Sequence, residues 1–161
     1  MARLPAMAAP LRSFLALVLL CFAATIATAQ PAPVPGTLEP LTIVTAKSRH
    51  AFLVEVARND ADRAQGLMYR RMLAPDQGML FDFARTDIVT MWMQNTYISL
   101  DMIFIRADGT IARIAQDTEP LSTRTISSGE PVLSVLEVAA GTTRRLGIKP
   151  GDKVENPLFR P

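Results

Sequence analysis

Two acids set into apolar runs carry the chemical interest of this chain. Asp101 lies in Leu100-Asp101-Met102-Ile103-Phe104-Ile105, on the face of Ile103 and Ile105. Glu137 lies in the run from Val132 to Val138, on the face of Leu133 and Val135. A carboxylate among apolar side chains needs a hydrogen-bonding partner or access to water. In that setting it serves as a general base or ligand-orienting group with a tuned pKa. Its other use is structural, as a buried acceptor of hydrogen bonds. If Asp101 and Glu137 meet, they form a carboxylate pair of the glycosidase type, and the chain is a small hydrolase or lyase. Arg70 offers a planar fork that matches a carboxylate in two places. Its first expected partner is Asp101, and its second is an anionic ligand.

Trp92 is the only tryptophan. It suits a stacking platform for a sugar or peptide, or the packing of a core. Asn95 and Thr96 follow it and either line a pocket or satisfy a turn. Arg70, Trp92, Asn95, Thr96 and Asp101 together make the expected ligand-binding patch. Met91 and Met93 raise a third possibility, a thioether copper site, because soft ligands favour Cu(I). Methionine also fills irregular cores. His50 is the only histidine, so a zinc site with several His ligands is excluded by count. A Ser-His-Asp triad would have to join His50 to Ser127 or Ser128, and no Gly-x-Ser-x-Gly elbow is present. No glycine-rich phosphate loop is present, and no metal or other cofactor is expected.

The elements that must position these residues are mostly short strands. Leu41–Thr45 is rich in β-branched residues, and Phe52, Val54 and Val56 alternate with their neighbours. Asn59 or Asp60 caps a helix over 61–66, ended by Gly66. Further strands are expected from Gly78 through Phe83, over 89–93, 101–105, 110–115 and 132–138, and finally over 152–155. Asp108-Gly109 between two of these runs is the strongest hairpin signal, since both residues tolerate positive φ. A helical turn is expected over 142–146, between Gly141 and Gly147. Seven or eight strands with one or two short helices predict a mainly β fold, a compact antiparallel sandwich or small barrel.

Residues 1–29 read as a secretory signal peptide. Arg3 and Arg12 precede the apolar run Phe14–Ala24, and Ala27-Thr28-Ala29 is an A-x-A cleavage site. The run is short for a membrane span, which needs about 20 apolar residues. Cleavage after Ala29 removes Cys21, the only cysteine, so the mature chain has no thiol nucleophile and must rely on a hydrophobic core. Four prolines in residues 30–40 favour an extended linker. One domain, 41–157, follows. The formal charge of +2 comes from 17 basic and 15 acidic residues, and the excess is Arg3 and Arg12. That balance speaks against a nucleic-acid binder or a polybasic membrane-surface protein.

Several blocks occur in a telling order: Gly66-Leu67-Met68-Tyr69-Arg70, Gly78-Met79-Leu80-Phe81, Trp92-Met93-Gln94-Asn95-Thr96 and Leu100-Asp101-Met102-Ile103-Phe104. Leu136-Glu137-Val138, Gly141, Gly147-Ile148 and Gly151-Asp152 complete them. Over residues 51–155 the chain resembles the bacterial and archaeal family called domain of unknown function 192. Gln94 stands where that family often carries Lys or Arg. The resemblance implies a compact, mainly β fold and no established activity. The expectation is an exported, monomeric β-domain, periplasmic or secreted. It binds a small ligand, a glycan or an envelope protein without catalysing a reaction.

Overall fold

The computed structural model describes residues 37–159. The expected leader and residues 30–36 of the Pro-rich segment lie outside the described residues. Seven strands form one curled sheet: β1 (Glu39–Val44), β2 (Arg49–Ala57), β3 (Gln77–Met91), β4 (Leu100–Ile105), β5 (Ile111–Ala115), β6 (Ile126–Ala139) and β7 (Lys153–Glu155). Their order across the sheet is β5-β4-β6-β3-β2-β1-β7. Two short helices, α1 (Asp60–Gln65) and α2 (Thr142–Leu146), and a final 3-10 turn, Pro157–Phe159, complete the fold.

The fold is mainly β, as expected, but it is a half-barrel and not wholly antiparallel. β2 and β3 run parallel, with Leu53 opposite Gln77 and Ala57 opposite Phe81. Parallel neighbours need a crossover connection, and the segment carrying α1 supplies it. Asn59 opens α1 as its sequence position predicts: its side-chain oxygen accepts from the Asp62 amide at 2.8 Å.

β3 is one long strand where two separate strands are expected. Its register against β6 shifts between Asp82 and Asp87, where the side chains emerge into solvent. Asp82 holds this bulge by accepting from the Ala84 amide at 2.8 Å, with Ala84 at φ 59°. β1 starts at Glu39, so the last two residues assigned to the linker belong to the sheet.

The curl draws its two edge strands together at one end. Thr110 bridges Lys153, and the Val154 amide donates to the Gly109 carbonyl at 2.8 Å. Gly109 is required here twice. Its φ is +82°, and an added Cβ would lie 2.6 Å from the Val154 carbonyl oxygen. The Asp108-Gly109 hairpin is therefore also the seam of the half-barrel. Lys153 reinforces it by donating to Asp108 at 2.9 Å, and the Thr110 amide, with Lys153 and the Thr110 hydroxyl, holds the Asp108 carboxyl far below its usual range.

Two apolar clusters lie on opposite faces of the sheet. All seven strands feed the inner one, which includes Ile43, Val54, Leu80, Ile103, Ile111, Leu136 and Val154. The outer one covers only the middle of the sheet. Met79, Phe81, Met102, Phe104 and Val135 meet Leu67 and Met93, which arrive on the loops after α1 and β3. Being covered on both faces, β4 is buried throughout. At Gly78 the backbones of β3 and β6 approach so closely that an added Cβ would stand 2.6 Å from the Glu137 carbonyl oxygen. Gly78→Ala is expected to lower stability by about 2–3 kcal/mol, measured by urea unfolding, because backbone rather than a flexible side chain must give way.

Candidate functional site

The register decides which acid faces which core. Asp101 lies opposite Val138, and Met102 lies opposite Glu137. Asp101 thus points to the inner face with Ile103 and Val138, while Glu137 points to the outer face with Met79, Met102 and Val135. The Asp101–Glu137 pair considered as an alternative from the sequence does not form, because the sheet stands between the two side chains.

Asp101 is fully buried, and its carboxylate is fully engaged. It accepts from the amides of Asp117 (3.0 Å), Gly141 (3.2 Å) and Thr143 (2.9 Å), and from the Thr143 hydroxyl (2.7 Å). The reason lies in α2. Its N-cap is Gly141, which has no side chain to satisfy the helix's first amides. Asp101 caps the helix from a neighbouring strand, and the negative charge also suits that end of the helix.

Arg70 does not reach Asp101. It pairs with Glu55 in a two-pronged contact, with both nitrogen–oxygen distances at 2.6 Å. Both side chains are mostly buried, at 25% and 15% exposure. Arg70→Met is expected to cost about 1 kcal/mol, and a double-mutant cycle with Glu55→Gln should recover most of that as coupling.

Glu137 is only 4% exposed, and among the described residues its carboxyl makes no hydrogen bond. Burial alone pushes its pKa up to about 8, so it is mostly protonated at neutral pH. It lines an open cavity of about 190 Å³ between α1, the loop after it, and the end of β3. Most of the walls are apolar, with Leu67, Met68, Phe81, Phe83, Met91 and Trp92, and Arg63, Gln65, Thr90 and Thr96 add polar groups. Trp92 is 46% exposed, so it forms a wall of this opening and not part of the core. Thr96 is buried at the same cavity, and its hydroxyl is turned to the Gln94 carbonyl at 3.3 Å.

The structure therefore brings together Trp92, Thr96 and Glu137 from the residues singled out in the sequence. Asn95 lies nearby in a left-handed turn (φ 58°), accepting from the Tyr69 amide through its carbonyl and donating to the Met68 sulfur at 3.8 Å. Arg70 lines a neighbouring polar cleft with Glu39, Glu55 and Arg58. Arg63, Phe83 and Met68 escaped the sequence reading. They come from an exposed helix, the bulge in the middle of β3 and a loop, and no local pattern joins them.

Of the two methionines considered for copper, Met91 lines the cavity, and Met93 is buried with its sulfur accepting from the Thr118 hydroxyl at 3.1 Å. His50 and Ser127 do not form a triad. His50 precedes Leu53, which pairs with the start of β3, whereas Ser127 pairs with Thr90 near its end. Among the described residues no three His, Cys, Asp or Glu side chains cluster to hold a metal ion.

Solved structures similar to this chain include two bacterial proteins. A protein from Sinorhizobium meliloti 1021, provisionally called a transcription regulator, is 50% identical with a TM-score of 0.75. The match covers 77% of this chain and 97% of that one. A protein of unknown function from Novosphingobium aromaticivorans DSM 12444 is 42% identical with a TM-score of 0.74, over 80% of this chain and 94% of that one. No curated protein matches. The family model for DUF192, described as "Uncharacterized ACR", matches residues 42–156. With most of the chain so covered, and the strand order and core built from those same residues, the chain belongs to the DUF192 family.

Proposed function

We propose that this protein is an exported, non-catalytic binding domain whose site is the cavity at Glu137 and Trp92. One observation carries the reading: a buried carboxyl without a protein partner opens into a cavity walled mainly by apolar side chains. An unpaired polar group of this kind costs stability, and a ligand that pairs with it offsets that cost. A cavity of about 150 Å³ holds a ring of benzene size, so this one suits a ligand of about that bulk. No second carboxylate lines the cavity among the described residues, so the two-acid hydrolysis considered from the sequence has no geometry to support it.

Native mass spectrometry of the protein purified gently from its host is expected to show a small bound mass. Glu137→Leu should strip that mass without lowering the unfolding midpoint. A bare wild-type protein, whose Trp92 emission also ignores a library of small fragments, would sink the reading.

A second reading concerns a larger partner. Tyr69 and Tyr97 are exposed on the loops that border the cavity, with Leu121 exposed on the loop bonded to Thr96, and the two tyrosine rings meet edge to face at 6.1 Å. Tyr69 and Leu121 hold left-handed backbone, fixed by amide hydrogen bonds to Asn95 and Thr96. Rigid exposed aromatics suit a glycan or an envelope protein. Loss of binding in Tyr97→Ala but not in Glu137→Leu would favour that partner. The regulator label of the S. meliloti relative would require a phosphate-binding face, and a net charge of +2 offers little for one. For export, the mature chain isolated from the envelope is expected to begin at Gln30.

A further inference from the structure

We propose that the cavity selects a small organic ammonium ion, held by the Glu137 carboxylate against aromatic and thioether walls. The inference rests on the cavity being the binding site. It adds the ligand's charge.

Two independent features point to a cation. The first is the walls. Phe81, Phe83 and Trp92 line the opening with aromatic rings, and Met68 and Met91 add polarisable sulfur. Aromatic faces attract cations through their quadrupole. Arg63 already shows this here, with its guanidinium 6.0 Å from the centre of the Phe83 ring.

The second is the choice of an acid over an amide. For a neutral ligand, glutamine would supply a donor and an acceptor of the same shape with no cost of ionisation. A carboxyl that opens into a cavity without a protein partner can ionise to pair with a ligand of opposite charge, which glutamine cannot do. The protein provides no internal cation to fill that role. Arg63 is the only other charged side chain at the cavity among the described residues. Its guanidinium is spent on the carbonyls of Arg58 (2.7 Å) and Asp82 (2.6 Å) and on the Asp60 carboxylate. The Glu137 carboxyl receives none of its donors.

Binding is then coupled to proton loss. The free protein holds Glu137 as the acid. The ammonium ion displaces the carboxyl proton to solvent, leaving an ion pair between carboxylate and ammonium. Affinity therefore rises with pH while Glu137 is still protonated in the free protein, by about tenfold per pH unit. It levels off above about pH 8.

The test compares n-butylammonium with n-butanol, which differ only in the charged head. Trp92, the sole tryptophan, reports occupancy by its emission. Calorimetry in buffers of different ionisation enthalpy counts the protons. At pH 6.5 butylammonium is expected to bind at least about tenfold more tightly than butanol, releasing close to one proton per molecule bound. Glu137→Gln should abolish both the preference and the proton release while butanol still binds. If butanol binds as well as butylammonium and no proton is released, the ammonium assignment is wrong and the cavity remains a site for neutral ligands. If neither probe perturbs Trp92 nor yields heat at any soluble concentration, the cavity is not a binding site and both readings fall.

Discussion

Glu137→Gln is expected to leave stability unchanged at pH 4 and to raise it by about 4 kcal/mol at pH 8. The folded protein holds Glu137 at a pKa of about 8, against 4.5 for the same group exposed to water. A raised carboxyl pKa means that the native state keeps a proton the unfolded chain gives up. Below pH 4.5 both states are protonated, and the group contributes no pH-dependent loss. Between 4.5 and 8 the unfolded state gains by ionising while the folded state does not. Native stability therefore falls as pH rises through that window, and the loss is nearly complete a little above pH 8. Each unit is worth about 1.4 kcal/mol, so the total is a large part of the stability of an ordinary domain. Glutamine keeps the shape and the polarity but has no proton to lose. Urea unfolding of both proteins from pH 4 to pH 9 checks this, and the quantity of interest is their difference, since every other titrating group is shared. Parallel curves would mean that Glu137 is solvated or paired in the native state. A converging pair at low pH, separating steadily above 4.5, is the expected pattern.

Local signals in the sequence were reliable where the structure depends on neighbours along the chain. Asn59 caps α1, Asp108-Gly109 turns a hairpin, and Gly141 and Gly147 bracket α2. Each of these is decided by a few adjacent residues and their backbone preferences. The errors came where pairing decides. The β2–β3 parallel pair is a choice among distant strands, and no spacing along the chain encodes it. β6 begins at Ile126, well before the apolar run that marks its second half, because Ser127-Ser128-Gly129-Glu130-Pro131 reads as a loop. Within the sheet, Ser128 holds that stretch by accepting from the Val89 amide and donating to the Glu130 carbonyl. The same limit governs the site. Both acids stand out as polar residues in apolar strands, but which of them meets a cavity depends on the register between β4 and β6. Arg70 was visible as a cation seeking a carboxylate. Its partner, Glu55, sits on the exposed-looking phase of β2, where an acid draws no attention.

Asp101→Asn is expected to lower stability by about 3 kcal/mol, with no change in the denaturant slope. One carboxylate oxygen accepts from Asp117 and Gly141, and the other accepts from the amide and the hydroxyl of Thr143. An asparagine amide can present only one acceptor. Whichever way it turns, its NH2 group faces at least one backbone N–H that cannot rotate away. That amide is left unsatisfied in a fully buried place, and the charge that strengthened the remaining bonds is gone. Asp101→Ala should cost more, because all four donors are orphaned. Thr143→Val should cost about 1 kcal/mol, because it removes one hydroxyl donor and leaves the three backbone bonds. The cycle between Asp101→Asn and Thr143→Val is expected to show coupling, since both act on one network. Hydrogen exchange gives a local check: the first amides of α2 should open far more readily in Asp101→Asn, while those of β2 and β3 follow only the global loss. A variant of wild-type stability would mean that the carboxylate does not cap α2. The alternative role for Asp101, in chemistry, would then have to be reopened despite its burial on the face away from the cavity.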